Sequence, residues 1–325
     1  MKKILLLVLC FISFYSNGQV SSHFHGDAKI FANLKTRNLI VELLEADEKI
    51  VKKLSKPKYA TDLKLYNEMI SNYNAEIQLY AKKYWNLNSN IEFKTKSEVE
   101  ALRDQKNKSY AVLRNLRLKD IDIDFGSKSS LFVTTLVFTR IESNYDKADS
   151  QVYLTTASKA TGKFLLESDY KFCLNVLQSN VDYIITNKKT INSEKYVQLI
   201  SKGNCKQIPA KTLLVKESVL YEKTTKAKCI AAYGSNIKFV SDEEFDKAFI
   251  EKAADKVCLF SVPWEIGKGG AGPVSQSFIM SYKVVVDCES GKLLYQFLPT
   301  GFAAFGQNIS HYVMEKDLEN IKNCK

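Results

Sequence analysis

The sequence predicts an α+β protein made of two tandem related units, each a small mixed sheet with helices mainly on one face. Three short blocks recur in the same order along the 325 residues. Three recurrences in one order indicate an internal duplication. The paired blocks are Ser89–Phe93 with Ser235–Phe239, Thr161–Leu165 with Ser290–Leu294, and Asn204–Lys206 with Asn323–Lys325.

The first unit, residues 36–206, is predicted to follow the order β-α-β-α-β-β-β-α. Apolar residues spaced three and four apart from Leu63 to Tyr84 indicate a long amphipathic helix. Segments rich in Val, Thr, Phe and Tyr indicate strands. The predicted strands are 38–44, 91–93, 109–116, 131–141, 151–156 and 164–166, and the predicted helices are 62–85, one ending at 103 and capped by Thr95 or Ser97, 172–185 and 194–202.

The second unit, residues 207–325, repeats this order in a shorter form. Ser241 is predicted to cap a helix, with Glu244 three residues later completing a capping box. Gly291 marks a tight turn between two strands. The predicted strands are 212–215, 237–240, 257–262, 278–286 and 292–297, and the predicted helices are 219–233, 241–252 and 308–321.

The N-terminus, residues 1–18, is predicted to be a cleavable export signal. Lys2 and Lys3 precede an apolar run from Ile4 to Tyr15, and small residues before Gln19 place cleavage near Gly18. The run is too short to cross a hydrocarbon core of about 30 Å, and no later segment is apolar enough to do so. We therefore expect a periplasmic or extracellular mature protein without a transmembrane segment. Residues 19–35 are expected to form a flexible leader.

The charge is basic, formally +11 for the chain, and removing Lys2 and Lys3 with the signal leaves +9. The excess is lysine, whereas nucleic-acid surfaces favour the planar guanidinium of arginine. A nucleic-acid partner is therefore not expected. The lysines are interleaved with Asp and Glu, as on a solvated surface, and acidic envelope glycans or lipids remain an alternative partner.

Six cysteines follow the signal, which permits disulfides in an exported chain with fifteen possible connectivities. No CxxC pair is present, so neither a redox motif nor a zinc knuckle is predicted. Cys205 and Cys324 end the two units at equivalent positions, which favours a structural role, with free thiols as the alternative. Cys258 and Cys288 lie in strand-like runs, where a small apolar thiol often only fills the core. The six are Cys173, Cys205, Cys229, Cys258, Cys288 and Cys324.

No catalytic residue, cofactor or metal site is predicted. The glycine-rich stretch 267–272 lacks the Lys-Ser/Thr ending and following helix of a phosphate loop, and is interpreted as a hairpin connection. Asp120, Asp122 and Asp124 precede a glycine at the wrong position for a calcium loop. The remaining weak signals are the metal-ligand pair His23 and His25, the single His311, and the carboxylates Glu98, Glu100, Glu244 and Asp246, which suit first helical turns.

Aromatic residues beside glycines are the best predicted contact site. Trp264 follows Pro263 near the glycine-rich stretch, and Lys268 lies within that stretch. Phe302 and Phe305 follow the last predicted strand between glycines. Exposed aromatic side chains next to a loop are typical of partner contacts, whereas packing of these rings in the core is the default alternative.

The second unit also resembles a group of exported proteins common in Bacteroidetes that has no assigned activity. The resemblance is carried by Phe239 to Phe245, by Ser290-Gly291-Lys292 and by Asn308-Ile309, and the first unit matches more loosely. It implies export and a non-catalytic role. We therefore expect a binding or structural module of the periplasm or cell surface. The alternatives are an enzyme with an unrecognised site and a basic protein attached to acidic glycans or lipids.

Overall fold

The structure, a computed structural model, describes residues 22–24, 28–117, 131–143, 150–158, 165–187, 193–269, 276–297 and 312–324. Two mixed sheets with helices packed on them confirm the predicted α+β class. The helices are α1 (Ala28–Thr36), α2 (Glu48–Leu54), α3 (Ala60–Tyr84), α4 (Lys96–Asp104), α5 (Glu167–Asn187), α6 (Ser193–Asn204), α7 (Lys226–Tyr233), α8 (Asp242–Ile250) and α9 (Glu315–Asn323). The strands are β1 (Ser22–Phe24), β2 (Asn38–Leu43), β3 (Ile91–Thr95), β4 (Tyr110–Arg117), β5 (Leu131–Arg140), β6 (Ser150–Ser158), β7 (Thr212–Lys216), β8 (Ile237–Val240), β9 (Lys256–Gly269), β10 (Gln276–Asp287) and β11 (Leu293–Phe297).

The two sheets share one strand topology. In the first unit β2 is parallel to both its neighbours, β3 and β4, and antiparallel β5 and β6 follow on the β4 side. In the second unit β7 is parallel to β8 and β9, followed by antiparallel β10 and β11. The orders are β1-β6-β5-β4-β2-β3 and β11-β10-β9-β7-β8. Two units with the same order support the duplication inferred from the repeated blocks.

The repeated Ser-Asn-Ile block starts the same parallel ladder in each unit. The backbone N–H of Leu39 donates to the carbonyl oxygen of Asn90 at 2.8 Å, and Leu213 donates to Asn236 at 3.0 Å. These equivalent bonds fix the register of β2 with β3 and of β7 with β8. The block is therefore part of the scaffold.

Two capping boxes start the equivalent helices α4 and α8. The Ser241 hydroxyl accepts from the Glu244 N–H at 3.1 Å, and the Glu244 carboxylate accepts from the Ser241 N–H at 3.0 Å, which confirms the predicted box. Thr95 and Glu98 make the same pair of bonds, at 3.3 and 2.7 Å. Thr95 therefore caps α4, and Ser97 does not.

The two units bury opposite faces of their common fold in a shared core. In the first sheet α3 and α5 cover the face that carries Leu39, and α4 covers the face that carries Val112. In the second sheet α8 covers the face that carries Leu214, and α7 and α9 cover the other. Helix α5 contacts α3 and β6 of the first unit and α8 of the second. One hydrophobic core therefore extends across both units.

An aromatic cluster from both units lies at the centre of this core. The Phe260 ring of β9 stacks on Phe172 of α5 with centroids 4.7 Å apart. Phe245 and Phe249 of α8 meet it edge-on at 5.1 and 5.3 Å. Each such ring pair contributes about 0.5–1.5 kcal/mol beyond the area it buries.

The expected flexible leader at 19–35 is corrected over residues 28–35, which belong to α1. Phe31 and Leu34 of this helix are fully buried in the shared core. Helix α1 packs on α5, and β1 adds to the edge of the first sheet by pairing with β6. The apolar spacing of three from Phe31 to Leu34 was the available signal, but it covers too few residues to predict a helix alone.

A disulfide joins the C-terminal ends of the two units. Cys205, in a 3₁₀ turn after α6, bonds to Cys324, which directly follows α9, with Cα atoms 6.1 Å apart. The structural role expected for the two equivalent cysteines is thus fulfilled by a bond between them. It connects chain positions 119 residues apart.

Candidate functional site

Strands β9 and β10 continue as a two-stranded ribbon beyond the rest of the second sheet. Among the described residues, β7 pairs with β9 at 256–258, and β11 pairs with β10 at 283–286. The pairing of β9 with β10 runs on to Gly269 opposite Gln276. Within the described residues, the outer half of this ribbon is therefore not flanked by β7 or β11.

Trp264, a predicted contact residue, lies at a β-bulge in this ribbon. Glu265 is opposite Met280, and Pro263 is opposite the next residue, Ser281, so Trp264 is the extra residue between them. Bulges bend a strand and redirect side chains, and they are common next to functional sites. Lys268, the second predicted residue, is opposite Ser277 near the ribbon's outer end.

The described part of the glycine-rich stretch lies at the end of the ribbon. Gly267, Lys268 and Gly269 belong to β9, and the chain returns as β10 at Gln276. A strand on each side is the geometry of a hairpin, whereas a phosphate loop leads into a helix whose N-terminus faces the phosphate. The prediction of a hairpin connection is therefore confirmed.

Other predicted residues lie outside the described part of the chain. This applies to the contact residues Phe302 and Phe305 and to all the weak metal signals except His23. His23 is in β1, opposite Gln151. Within the described residues, no group of three or more His, Cys, Asp or Glu side chains could hold a metal ion. The residues not described are Asp120, Asp122, Asp124, His25 and His311.

The repeated carboxylates are bound to the scaffold. Glu98 and Glu244 complete the capping boxes, and Glu100 lies 3.9 Å from the Lys96 ammonium. Asp246 has a role that sequence did not indicate, because it accepts from the Ser168 N–H at 2.7 Å. It thereby satisfies a backbone donor in the first turn of α5 from across the unit boundary.

A tyrosine and carboxylate cluster on α3 and α5 was not predicted. The ring of Tyr80 lies 5.1 Å from that of Tyr170 and 6.3 Å from that of Tyr84. The Tyr170 hydroxyl donates to Glu76 at 3.0 Å, and the Tyr84 hydroxyl donates to Glu167. The helical spacing of the α3 tyrosines was visible in the sequence, but the two tyrosine–carboxylate pairs join residues 83 and 94 positions apart.

Burial sets the protonation of this cluster. Desolvation, followed by the Glu167 hydrogen bond, raises the pKa of Tyr84 to about 12. Desolvation also raises the pKa of Glu76, which favours its neutral form. Burial opposes ionisation of Glu167, but hydrogen bonds from Lys83 and Tyr84 outweigh it and lower its pKa. These pairings stabilise the packing of α3 on α5.

Lys171 of α5 ties the two units together by a buried hydrogen bond. Its ammonium donates to the carbonyl oxygen of Phe249 at 2.8 Å and lies 4.8 Å from the Phe249 ring centroid. The ammonium group therefore lies at the last turn of α8, where it binds a backbone carbonyl that has no partner within the helix. Burial, reinforced by the charge of Lys252, lowers the pKa of Lys171.

A second buried lysine lies in the middle of β10. The Lys283 ammonium donates to the Ser261 hydroxyl at 2.8 Å, and Asp317 of α9 lies close enough to act on it electrostatically. Burial lowers the pKa of Lys283 to about 8. A serine beside a lysine of lowered pKa is a known nucleophile and base pair. However, Lys283 has no exposed surface, so this geometry offers no route to a substrate.

Comparisons with known proteins give little to set beside this geometry. No family model matches the chain. Phosphoglycerate kinases of Lactobacillus delbrueckii subsp. bulgaricus and subsp. lactis are 30% identical over 188 residues, covering 50% of this chain and 43% of each kinase. The chain thus matches less than half the length of these curated relatives.

A solved structure of a PelC dodecamer from Paraburkholderia phytofirmans also matches. The match covers 51% of this chain and 98% of the PelC chain, at 8% sequence identity and a TM-score of 0.24. At that TM-score the likeness carries no argument about fold or function. Separately, no helix among the described residues is long and apolar enough to cross a membrane.

Proposed function

We propose that this chain is a non-catalytic binding module of the cell envelope, whose second unit contacts a partner protein through the β9–β10 ribbon. The proposal of export is supported by the predicted signal at residues 1–18 and by the resemblance to exported Bacteroidetes proteins. The two units, joined by a shared core, act as the platform. Trp264 and Lys268 lie in the ribbon, beyond the positions of β9 that pair with β7.

The observation that carries the proposal is the bulged ribbon. Paired strands that run beyond their sheet leave backbone donors and acceptors on their outer edges, which a partner strand or loop can use. The bulge at Trp264 places a large aromatic residue where the strand bends. Tryptophan is among the residues that most often dominate binding energy at interfaces.

The charged clusters described above support a non-catalytic role. Glu98, Glu244 and Asp246 hold helix starts, and Lys171 holds a helix end. These charged side chains bind backbone groups at helix ends, so the contacts stabilise the fold.

The test is capture of partners from the organism's own envelope fraction by the immobilised mature protein at low salt. Trp264→Ala should lower capture of the specific partner by about tenfold or more, as for an interface hot spot. Leu79→Ala is the matched control, because Leu79 is an apolar residue of α3 with 59% of its surface exposed. Equal capture by both variants would refute the ribbon as the contact surface.

A photo-crosslinking residue placed at position 268 gives a second measurement that does not depend on removing a side chain. It should crosslink the same partner that the unmodified protein captures, whereas the same probe at position 79 should not. Failure to capture any partner at low salt would refute the binding role itself.

A lysine-rich lobe favours a second candidate, attachment to acidic lipids. Helix α2, a 3₁₀ turn at Pro57–Tyr59 and the start of α3 form this lobe around buried Leu54 and Tyr66. The lobe lies in the connection between β2 and β3. The equivalent connection of the second unit, between β7 and β8, contains a 3₁₀ turn and the short α7. Its exposed lysines are Lys49, Lys52, Lys53, Lys56, Lys58 and Lys64.

Sedimentation with vesicles tests this candidate, using phosphatidylcholine alone or mixed with phosphatidylglycerol. Each lysine near an anionic surface contributes about 1 kcal/mol, so Lys52→Glu with Lys53→Glu should reduce binding to the mixed vesicles by about tenfold or more. The control is Lys202→Glu with Lys206→Glu, which makes the same charge change at two exposed lysines outside the lobe, next to Cys205. Equal losses in both pairs would contradict a dedicated basic lobe.

A further inference from the structure

Two cysteine side chains meet at the base of the ribbon. The sulfur atoms of Cys258 and Cys288 lie 3.3 Å apart, and both residues are buried in the shared core. They are 30 residues apart in sequence. Neither takes part in the Cys205–Cys324 disulfide.

The sheet register brings them together. Val286 of β10 is opposite Cys258 of β9, and the Cys288 N–H donates to the carbonyl oxygen of Lys256 at 3.1 Å. Cys288 therefore lies two residues beyond the direct partner of Cys258. Residues two apart on a strand point to the same face, so the two thiols are diagonal neighbours on one side of the sheet.

We propose that Cys258 and Cys288 form a second disulfide, which clamps the base of the β9–β10 ribbon. A disulfide holds its sulfur atoms about 2.05 Å apart, so the observed pair must approach by a little more than 1 Å. The strands are already paired on both sides of Cys258, so the proposal assigns this approach to rotation of the two side chains. The proposal is independent of the ribbon's partner.

The bond requires an oxidant, which we assign to the class of thiol–disulfide exchange partners. One cysteine thiolate attacks a sulfur of the partner disulfide, and the partner's other sulfur leaves as a thiolate. The second cysteine thiolate then attacks the mixed disulfide and releases the first partner sulfur. Two electrons pass to the partner, and the two cysteine protons end on its two thiols or in solvent.

The bond should form while the chain folds. In the finished core, burial and the adjacent Cys288 raise the pKa of the Cys258 thiol, so the reactive thiolate is disfavoured there. An oxidant also has no access to either sulfur once α5 and α8 cover this face of the sheet. Before α5 and α8 pack, both restrictions are absent.

The experiment is refolding of the denatured, reduced mature chain with oxidised and reduced glutathione, followed by alkylation in denaturant and non-reducing tryptic mapping. Trypsin places each cysteine of interest in its own peptide, 257–268 for Cys258 and 284–292 for Cys288. We expect these two peptides to be joined, and Cys173 and Cys229 to be alkylated.

Two variants sharpen the result. Cys258→Ser should leave the Cys288 peptide fully alkylated, whereas the control Cys229→Ser should leave the 257–268 to 284–292 link unchanged. The proposal is overturned if Cys258 and Cys288 are both alkylated in protein that has formed the Cys205–Cys324 bond. It is equally overturned if Cys288 is found joined to Cys173.

Discussion

Phe260→Ala tests the shared core most directly, because the Phe260 ring contacts residues from both units. Truncating a buried phenylalanine costs about 3–5 kcal/mol in free energy of unfolding. The substitution also removes the ring contacts of Phe260 with Phe172, Phe245 and Phe249, at centroid distances of 4.7–5.3 Å. We therefore expect a loss near the upper end, about 4–5 kcal/mol, out of the roughly 5–15 kcal/mol typical of folded proteins.

Urea denaturation followed by circular dichroism is the assay. With a slope of about 3 kcal/mol per molar urea, this loss lowers the midpoint by about 1.5 M. Because the core extends across both units, both should unfold in one transition, before and after the substitution. Phe239→Ala, on edge strand β8 and only partly buried, is the control and should shift the midpoint much less. Two separate transitions, with only the later or earlier one moved by Phe260→Ala, would refute a shared core.

Three further predictions concern local features. Removing the Cys205–Cys324 bond with alanine at both positions should cost about 4–5 kcal/mol in non-reducing denaturation, because it closes a loop of 119 residues; an unchanged midpoint would contradict this. Gly291→Ala should destabilise by about 1–2 kcal/mol, because this residue has a φ of +68° and its Cβ would lie 3.0 Å from a side-chain nitrogen. Thermal melts measure this loss, and in them the control Gly203→Ala, in α6 with nothing within 4 Å of the new Cβ, should be neutral or stabilising. Lys283 has a pKa lowered by burial to about 8, against about 10.4 unfolded, so between these values the unfolded chain binds more protons and stability rises with pH. Relative to Lys283→Met, the free energy of unfolding of the wild type should therefore rise by up to about 1.4 kcal/mol per pH unit across that interval. Parallel curves of unfolding free energy against pH for the two proteins would refute the lowered pKa of Lys283.

The ribbon was partly predictable from the sequence. The strands on either side of the glycine-rich stretch follow from their Val, Phe and Tyr content, and the glycines favour a hairpin over a phosphate loop. The bulge at Trp264 was not predictable, because it depends on which residues of β10 lie opposite β9. The extension of the ribbon beyond β7 and β11 also depends on the lengths of strands that are distant in sequence.

Local sequence predicted strands β2–β11 and helices α3–α9 and their order along the chain. The box of Ser241 and Glu244, the turn at Gly291 and the stripe along α3 each involve residues within a few positions of one another, so their chemistry acts without the rest of the fold. The recurrence of these signals predicted two units of one topology, and the two sheets have it.

Tertiary structure alone decided how the two units are joined. It turned opposite faces of the same fold into one core, converted part of the expected leader into a buried helix, and assigned Asp246 to the first turn of α5. It also paired Cys205 with Cys324 and brought Cys258 beside Cys288. These outcomes depend on the summed burial of residues far apart in the chain, and a repeated local pattern is compatible with either face being covered.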